Sequence, residues 1–271
     1  MLIIKKLYFS HNKATILKGI SFRALRGEIT TILGPNGSGK TTLFKCIAGI
    51  WKPIKGNIVW DGKKINDLSL KERARIFSIV PQDHRPSFSY SVLDVVITGR
   101  VSYLSRFSSP KDSDYQIAKN SLKKLGIYHL KNRSYTKISG GERQLVLIAR
   151  ALTQNSPIML LDEPISHLDF NNQIKILRLI KKLSRERNIS IVMSLHDPNL
   201  AMNFSDRVII IKNGVKLKEG HPDRVITEET IREIYGVDVI ILSFYGKKAI
   251  IPMEGKNVFD NNLAKLLQHA S

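Results

Sequence analysis

The sequence predicts an α/β fold with a mostly parallel β-sheet, and three observations support this. Strand-like and helix-like segments alternate along the 271 residues, which is typical of a sheet covered by helices on both faces. The run Ile158-Met159-Leu160-Leu161 is apolar throughout, as expected of a strand buried between two layers. A strand-like run at 28–33 leads through a glycine-rich loop into a helix. A chain of this length can form one large domain or two modest ones, and either can bury a full core.

The individual elements follow from local patterns of apolar and turn-forming residues. Predicted strands lie at 2–4, 7–9, 15–17, 28–33, 56–62, 76–80, 158–161, 189–195, 206–211 and 215–219. Predicted helices lie at 41–48, 70–75, 142–153 and 172–187, with a helical pattern from 91 to about 130 that a Ser/Pro loop at 108–110 interrupts. After Tyr235 the pattern returns to short strands and a final helix.

Composition and charge narrow the class of protein only in part. The chain is 42% hydrophobic and 24% charged, which is ordinary for a globular protein, and no apolar run approaches the roughly 18 to 20 residues that cross a bilayer. The only cysteine, Cys46, cannot form an internal disulfide, which suits a reducing cytosol. The net charge of +20 fits a nucleic-acid partner, an anionic membrane surface or a general lysine bias, and charge alone does not decide.

Residues 34–41 match the phosphate-loop pattern G-x-x-x-x-G-K-[ST] at every fixed position. The three glycines allow consecutive backbone N–H groups to point at one anion, and the helix that follows adds the positive end of its dipole. Lys40 is expected to reach the β- and γ-phosphates, and the Thr41 hydroxyl to hold Mg²⁺. The loop therefore predicts a site for a nucleoside triphosphate.

Two further groups of polar residues follow predicted strands. Asp162 and Glu163 come directly after the strand 158–161, where one carboxylate can hold Mg²⁺ and the other can activate water. His196 follows the next strand along the chain. Because parallel strands present their carboxyl ends at one edge of a sheet, these residues are expected beside the phosphate loop, with His196 as a contact to the γ-phosphate.

The segment Ser139-Gly140-Gly141-Glu142 begins a helix and offers a second anion-binding N-terminus. The helical segment 91–138 separates it from the phosphate loop of the same chain. This arrangement favours a dimer in which each nucleotide lies between one phosphate loop and the Ser-Gly-Gly of the other subunit.

With these motifs in order, the chain resembles the ATP-binding subunit of an ABC transporter over about residues 2–238. The features that carry the resemblance are Walker A 34–41, Gln82 of the Q-loop, the signature 138–143, Walker B 158–163, the D-loop Ser166-His167-Leu168-Asp169 and the switch His196. It implies a P-loop NTPase (RecA-like) core with an N-terminal antiparallel β subdomain and a helical signature subdomain. The domains implied are 1–240 for the ATPase, with the helical subdomain at about 88–152 inserted in it, and 241–271 for a short C-terminal extension.

The resemblance also implies roles for particular residues, with ATP and Mg²⁺ as cofactors. The catalytic set is Glu163 as base, His196, Gln82 and Lys40. The nucleotide-binding set is His11, Gly34, Pro35, Asn36, Gly37, Ser38, Gly39, Lys40, Thr41, Thr42, Ser139, Gly140, Gly141, Glu142 and Asp169. The metal set is Thr41, Gln82 and Asp162. His11 stands where the family most often stacks an aromatic ring on adenine, and Ile138 and Glu142 stand where it most often has Leu and Gln.

The segments 95–100, 103–104 and 109–112 are similar to those of ATPases that serve importers of iron-siderophores, haem, cobalamin and related metal chelates, a group that shares these features with a molybdate or tungstate branch. The implied partners are multi-span permease subunits, a second ATPase copy and an extracytoplasmic binding protein, with the chain peripheral on the cytoplasmic face of the membrane. The alternative that the +20 charge raises is an ABC-type ATPase of nucleic acid or the ribosome, although the chain has neither a second ATP module nor a long coiled-coil insertion. A P-loop kinase or GTPase leaves the segment 138–143 without a role.

Overall fold

The computed structural model describes residues 1–12, 14–82, 89–105, 108–166, 168–244 and 246–253. The strands are β1 Leu2–His11, β2 Ala14–Ala24, β3 Ile29–Leu33, β4 Lys55–Trp60, β5 Lys63–Lys64, β6 Phe77–Val80, β7 Ile158–Leu161, β8 Ser190–Leu195, β9 Arg207–Lys212, β10 Val215–Gly220, β11 Val239–Phe244 and β12 Lys247–Pro252. The helices are α1 Lys40–Ile47, α2 Leu70–Ile76, α3 Val92–Ile97, α4 Asp112–Lys124, α5 Gly140–Thr153, α6 Phe170–Arg187, α7 Pro198–Phe204, α8 Pro222–Val225 and α9 Glu228–Tyr235.

A six-stranded sheet in the order β10-β9-β3-β8-β7-β6 forms the centre of the fold. Its strands are parallel except for β10, which pairs antiparallel with β9. Leu33 is level with Leu195, and Val80 is level with Leu161, so β3, β6, β7 and β8 end at the same edge. The predicted mostly parallel sheet is confirmed, and this edge is where the polar residues follow.

The central sheet is covered on both faces, which explains why β3, β6, β7 and β8 are buried at nearly every position. On one face, Ile32 and Leu160 pack against α1 and a four-stranded antiparallel sheet of order β2-β1-β4-β5. On the other face, Leu33 and Leu161 pack against the helices of a second hydrophobic core. The alternation of neighbouring residues between the two cores is the two-residue period of a strand. The predicted N-terminal antiparallel sheet is confirmed.

The helical region between β6 and β7 is more broken than the sequence pattern suggests. The predicted helical pattern from 91 to about 130, interrupted at 108–110, contains two α-helices, α3 and α4. A 3-10 segment at Thr98–Tyr103 follows α3 directly, and α4 begins at Asp112, after the predicted interruption. Both α5 and α6 begin two residues before the predicted starts, at Gly140 and Phe170. The reason is that Ser139 and Asp169 cap these helices, so the chain turns helical directly after each cap.

The C-terminal part of the described chain forms an antiparallel hairpin of β11 and β12. It confirms the short strands predicted after Tyr235, while the final helix of that prediction lies outside the described residues. The predicted boundary between the ATPase domain and the C-terminal extension, at 240/241, lies inside strand β11, so the chain path has no break there. The division into these two parts stays a prediction. In the part of the chain that the structure describes, no helix is both long enough and apolar enough to span a membrane.

Candidate active site

The phosphate loop joins β3 to α1 and is shaped by its glycines. A Cβ on Gly34 would lie 2.1 Å from the carbonyl oxygen of Ile211 on β9, so only glycine allows this approach. Gly37 and Gly39 have φ angles of 76° and 102°, in the left-handed region that side chains disfavour. The Ser38 hydroxyl is buried in the loop and has no hydrogen-bond partner among the described residues. A buried orphan hydroxyl in an anion-binding loop fits a phosphate oxygen as its partner.

Lys40 begins α1 and is 5% exposed. Its Nζ donates to the carbonyl oxygens of Gly34 at 2.9 Å and Pro35 at 3.0 Å, so the ammonium group is folded back onto the loop. Burial lowers the pKa of Lys40, and the nearby carboxylates of Glu163 and Asp162 oppose that shift. The charge is therefore held beside the loop, with two weak neutral partners that an anionic phosphate can replace.

The structure brings three of the predicted catalytic residues into direct contact. Gln82 Nε2 donates to Glu163 Oε2 at 2.6 Å, and His196 Nε2 lies against Glu163 Oε1. The Glu163 carboxylate is thus held from both sides, while the His196 side chain is 40% exposed. Gln82, Glu163 and His196 meet because β6, β7 and β8, which they follow, end at one edge. The strand pattern predicts this for Glu163 and His196, while Gln82 is expected there from the family resemblance.

The backbone of Glu163 is unusual, because its φ angle is 50° although it is not glycine. Such a conformation costs on the order of 1 kcal/mol and persists only when neighbouring contacts fix it. Here the Glu163 carbonyl oxygen accepts from the Ser166 backbone at 3.1 Å and the Ser166 hydroxyl at 2.9 Å. The tight turn after β7 aims the carboxylate at Gln82 and His196 rather than along the strand.

Ser194 on β8 contacts both acidic residues of the site, although the sequence analysis predicts no role for it. Its hydroxyl donates to Asp162 Oδ1 at 2.8 Å and accepts from the Glu163 backbone N–H at 2.8 Å. The serine is fully buried, and Asp162 is 6% exposed. Ser194 therefore fixes both acidic residues to the neighbouring strand. A small polar residue two positions before a histidine, at the end of an apolar strand, is the only signal that the sequence offers.

The signature segment forms a helix start rather than part of the same phosphate loop. The Ser139 hydroxyl accepts from the Glu142 backbone at 3.2 Å, and the Ser139 backbone donates to Glu142 Oε2 at 2.8 Å, which is a capping box. This bond lowers the pKa of the Glu142 carboxyl, since it stabilises the charged form. Ser139 and Gly140 are exposed.

A contact links the signature helix to the D-loop. The Asn172 side chain lies beside Gly141, where a Cβ would come within 3.3 Å of Asn172 Nδ2. The same amide donates to Asp169 Oδ2 at 2.9 Å, and Asp169 Oδ1 accepts from the Asn172 backbone at 2.8 Å. Asp169 thus caps α6 within the single chain, whereas its predicted place in the nucleotide-binding set stays a prediction. His167 of the predicted D-loop lies outside the described residues.

His11 ends β1 and is exposed, with its ring nearly parallel to that of Trp51 at a centroid distance of 6.2 Å. Trp51 in turn stacks on Phe9 at 5.1 Å, and Lys45 Nζ lies 4.3 Å from the Trp51 ring centroid. The predicted adenine-stacking residue is therefore one side of an aromatic cluster. Trp51 was not predicted, because nothing in its local sequence places it beside β1.

The residues present fit a magnesium ion that is bound together with nucleotide. Asp162 Oδ1 is engaged by Ser194, while Oδ2 accepts no hydrogen bond from a described residue. Thr41 is exposed at the first turn of α1. Among the residues of the structure's described ranges, no group of three or more His, Cys, Asp or Glu could hold a metal alone. This is the donor set expected where Mg²⁺ is held by one carboxylate, a hydroxyl and substrate phosphates.

Fold and site together define a P-loop NTPase. A family model described as ABC transporter matches residues 17–166. An iron(3+)-hydroxamate import ATP-binding protein of Bacillus subtilis is 34% identical over 239 residues, which are 88% of this chain and 89% of that protein. A hemin import ATP-binding protein of Gloeobacter violaceus is 34% identical over 252 residues, 90% of each chain.

Two solved structures agree with this. One is an inward-facing conformation of a metal-chelate type ABC transporter, with a TM-score of 0.83, 31% identity, and coverage of 93% of this chain and 97% of the other. The second is a dimeric, post-hydrolysis ATP-binding cassette bound to ADP and Pi, with a TM-score of 0.71, 30% identity, and coverage of 82% and 99%. The chain belongs to the ABC transporter ATP-binding family, and it is an ATPase.

Proposed function

We propose that this chain is the ATP-hydrolysing subunit of an importer for a metal chelate of the iron-siderophore, haem or cobalamin class. The observation that carries the catalytic part is the contact of Gln82, Glu163 and His196 at the edge where the parallel strands end. The relatives that import iron-hydroxamate and hemin, and the metal-chelate transporter of similar structure, support the substrate class.

Glu163 is the general base in this proposal. Its carboxylate accepts one proton of the water that attacks the γ-phosphorus, while Gln82 orients that water through its amide. The bond from the γ-phosphorus to the β,γ-bridging oxygen breaks, and ADP leaves with that oxygen. His196 moves from Glu163 to a γ-phosphate oxygen when ATP binds, which leaves Oε1 open to the water. The φ angle of 50° at Glu163 directs the carboxylate away from the strand axis, toward this position.

Lys40, Ser38 and Thr41 bind the triphosphate. Lys40 leaves the carbonyl oxygens of Gly34 and Pro35 for the β- and γ-phosphates, where its charge is paired. The unpartnered Ser38 hydroxyl donates to a phosphate oxygen. Thr41, Gln82 and Asp162 would hold Mg²⁺, which would neutralise part of the charge on the phosphates. His11, with Trp51 behind it, provides the surface for adenine.

A second copy of the chain completes each site. The exposed Ser139 and Gly140 stand at the N-terminus of a 14-residue helix, and their backbone N–H groups can bind a γ-phosphate held by the opposite subunit. Asp169 faces that subunit in the closed dimer. Binding of two ATP molecules closes the dimer, because ATP binds the closed dimer more tightly than the open subunits. Hydrolysis removes this preference, and the dimer opens.

Permease subunits couple this cycle to transport, and a groove beside the helical region suits them. Ile50 and Leu70, which are 59% and 75% exposed, line a cavity of about 340 Å³ together with Arg73 and Ile79. Ile79 lies on β6, three residues before Gln82. A permease segment seated in the groove would therefore contact the strand that leads directly to Gln82. The chain is then peripheral on the cytoplasmic face of the membrane, and the complex works with an extracytoplasmic binding protein.

Uptake by cells that lack this chain but keep the neighbouring permease tests the proposal. The cells receive the parent chain or Glu163→Gln, and uptake of labelled ferric hydroxamate, haem, cobalamin and molybdate is measured. We expect the parent chain, and not the variant, to restore uptake of one metal chelate. If only molybdate uptake depends on this chain, the substrate belongs to the oxyanion branch. If uptake of none of the four compounds depends on this chain, the proposal is contradicted.

A further inference from the structure

The carbonyl group of His196 is held by a residue far along the chain. Tyr235, the last residue of α9, donates its hydroxyl to the His196 carbonyl oxygen at 3.2 Å. The Tyr235 ring packs at the edge of the large hydrophobic core, so the hydroxyl is presented from a fixed support. His196 itself is in the exposed turn between β8 and α7, where its imidazole lies against Glu163.

The hairpin of β11 and β12 holds the same turn from another side. Asn199 Nδ2 donates to the Ile250 carbonyl oxygen at 3.1 Å, and the Ile250 N–H donates to Asn199 Oδ1 at 2.7 Å. Ile250 is buried and pairs with Ile241 across the hairpin. The Ile241 N–H donates to Glu228 Oε1 at 3.0 Å, which ties the hairpin to α9.

Within the turn, Asp197 closes the first turn of α7. Its Oδ1 accepts from the backbone N–H groups of Asn199 at 2.7 Å and Leu200 at 3.2 Å. The segment 196–199 is thus capped from within and hydrogen-bonded to the C-terminal region at its two ends. A side chain that must reach both Glu163 and a phosphate within hydrogen-bond distance depends on such a support, since shifts of about 1 Å strongly lower rates.

We propose that Tyr235 is a positioning residue for the switch histidine and that α9 with the C-terminal hairpin forms a clamp that holds the segment 196–199 in its working position. This inference rests on the proposed function, in which His196 contacts the γ-phosphate. It gives the described part of the C-terminal extension a role in hydrolysis in addition to that of the nucleotide-binding motifs.

The chemistry of the hydroxyl suits a constant support. Burial raises the pKa of Tyr235 to about 12, and the charge of Asp197 adds to the shift. The phenol therefore stays protonated and donates throughout the pH range in which the ATPase works. A neutral hydrogen bond to a carbonyl is also independent of the protonation state of the His196 ring, so the clamp holds the backbone whichever form the imidazole takes.

Tyr235→Phe tests the clamp, because it removes one oxygen and keeps the ring. We expect kcat of the full chain with Mg-ATP to fall about fivefold, the value of one neutral hydrogen bond, while KM for ATP stays within about twofold. Tyr103→Phe is the matched control, since Tyr103 also donates its hydroxyl to a backbone carbonyl, that of Gln154, at 3.0 Å. Its kcat should equal that of the parent chain.

Asn199→Ala tests the hairpin contact independently and covers the case in which Tyr235→Phe unfolds. It should lower kcat at unchanged KM, whereas Asn203→Ala, which removes a bond from Nδ2 to the Asn199 carbonyl at 2.8 Å, should not. Parent values of kcat in both Tyr235→Phe and Asn199→Ala would overturn the clamp. The clamp would also be overturned if kcat of Tyr103→Phe fell as far as that of Tyr235→Phe. A rise in KM, rather than a fall in kcat, as the cause of the lower rate would overturn it as well.

His196→Ala separates this inference from the proposed function. If His196→Ala hydrolyses ATP at the parent rate, the assignment of His196 fails and the clamp fails with it. If His196→Ala is inactive while Tyr235→Phe and Asn199→Ala keep the parent kcat, only the clamp is wrong.

Discussion

Replacement of Ser194 by alanine tests how the two acidic residues after β7 are held in place. The change deletes one hydroxyl that is fully buried and makes two hydrogen bonds, to Asp162 Oδ1 and from the Glu163 backbone, each of 2.8 Å. A bond to a charged group contributes about 1.5–3 kcal/mol and a neutral bond about 1 kcal/mol. The free energy of unfolding should therefore fall by about 3 kcal/mol.

Thermal and urea unfolding measure this loss. For a chain of 271 residues, about 3 kcal/mol corresponds to a fall in Tm of about 5 °C. We also expect kcat to fall at least about tenfold, because the Glu163 backbone loses the contact that fixes its position relative to β8. ATP affinity should change less, since the phosphate loop is untouched.

Ser190→Ala is the matched control in the same strand. Ser190 is also fully buried, but its hydroxyl has no hydrogen-bond partner among the described residues. Removal of an unsatisfied buried hydroxyl should raise the free energy of unfolding by roughly 1 kcal/mol and leave kcat unchanged. If Ser194→Ala and Ser190→Ala have the same free energy of unfolding and both keep the parent kcat, Ser194 does not hold the two acidic residues in place.

Three further outcomes are expected. Lys40→Ala should lose productive ATP binding in an equilibrium titration, since the phosphates lose their paired cation, and unchanged affinity would contradict the phosphate-loop assignment. Burial raises the pKa of the Cys46 thiol to about 12 from 9.0, so above pH 9 the thiol ionises more readily in the unfolded chain than in the folded one. The free energy of unfolding should therefore be unaffected by this group below pH 9 and should fall by up to about 1.4 kcal/mol per pH unit as the pH rises toward 12. Urea unfolding of Cys46→Ala should lack this dependence on pH. Gel shifts at about 0.15 M salt should find only weak, sequence-independent DNA binding, and tight binding would favour the nucleic-acid alternative.

The positions that could be predicted from the sequence are those of residues in short local motifs, while their catalytic and binding roles stay predictions. The glycines and Lys40 of the phosphate loop, and Glu163 and His196 after their strands, are fixed by short patterns plus the rule that parallel strands end at one edge. The rule brings them to one edge of the sheet, while the turn at Glu163 and the hydrogen bonds of Ser194 fix the contacts that they make there. The fold class could be predicted for the same reason, because alternation of strands and helices is a property of local sequence.

Residues that support the site from a distance could not be predicted in this way. Ser194 matters because β8 lies beside β7, and Trp51 matters because a loop after α1 returns to β1. Tyr235 lies 39 positions from His196 in the chain. Each has an ordinary local sequence, and its role depends on tertiary packing, which single-sequence patterns do not encode. The helix boundaries at Gly140 and Phe170 were missed by two residues because the caps decide them.

The central claim is that Glu163 is the base of a nucleotide-dependent dimer, and Glu163→Gln tests it most directly. The amide keeps the shape of the side chain and can still accept from Gln82 Nε2, but it cannot take a proton from water at neutral pH. Turnover should fall on the order of 10²-fold or more. Asp162→Asn is the control, since it weakens the metal site and should not trap a dimer.

Gel filtration with light scattering, in the presence of ATP and Mg²⁺, is the decisive measurement. The parent chain alone should run largely as a monomer of 30.7 kDa and hydrolyse ATP slowly. Glu163→Gln should run at twice that mass with ATP and return to monomer when ATP is removed. A variant that hydrolyses ATP near the parent rate, or that stays monomeric at saturating ATP, would contradict the account.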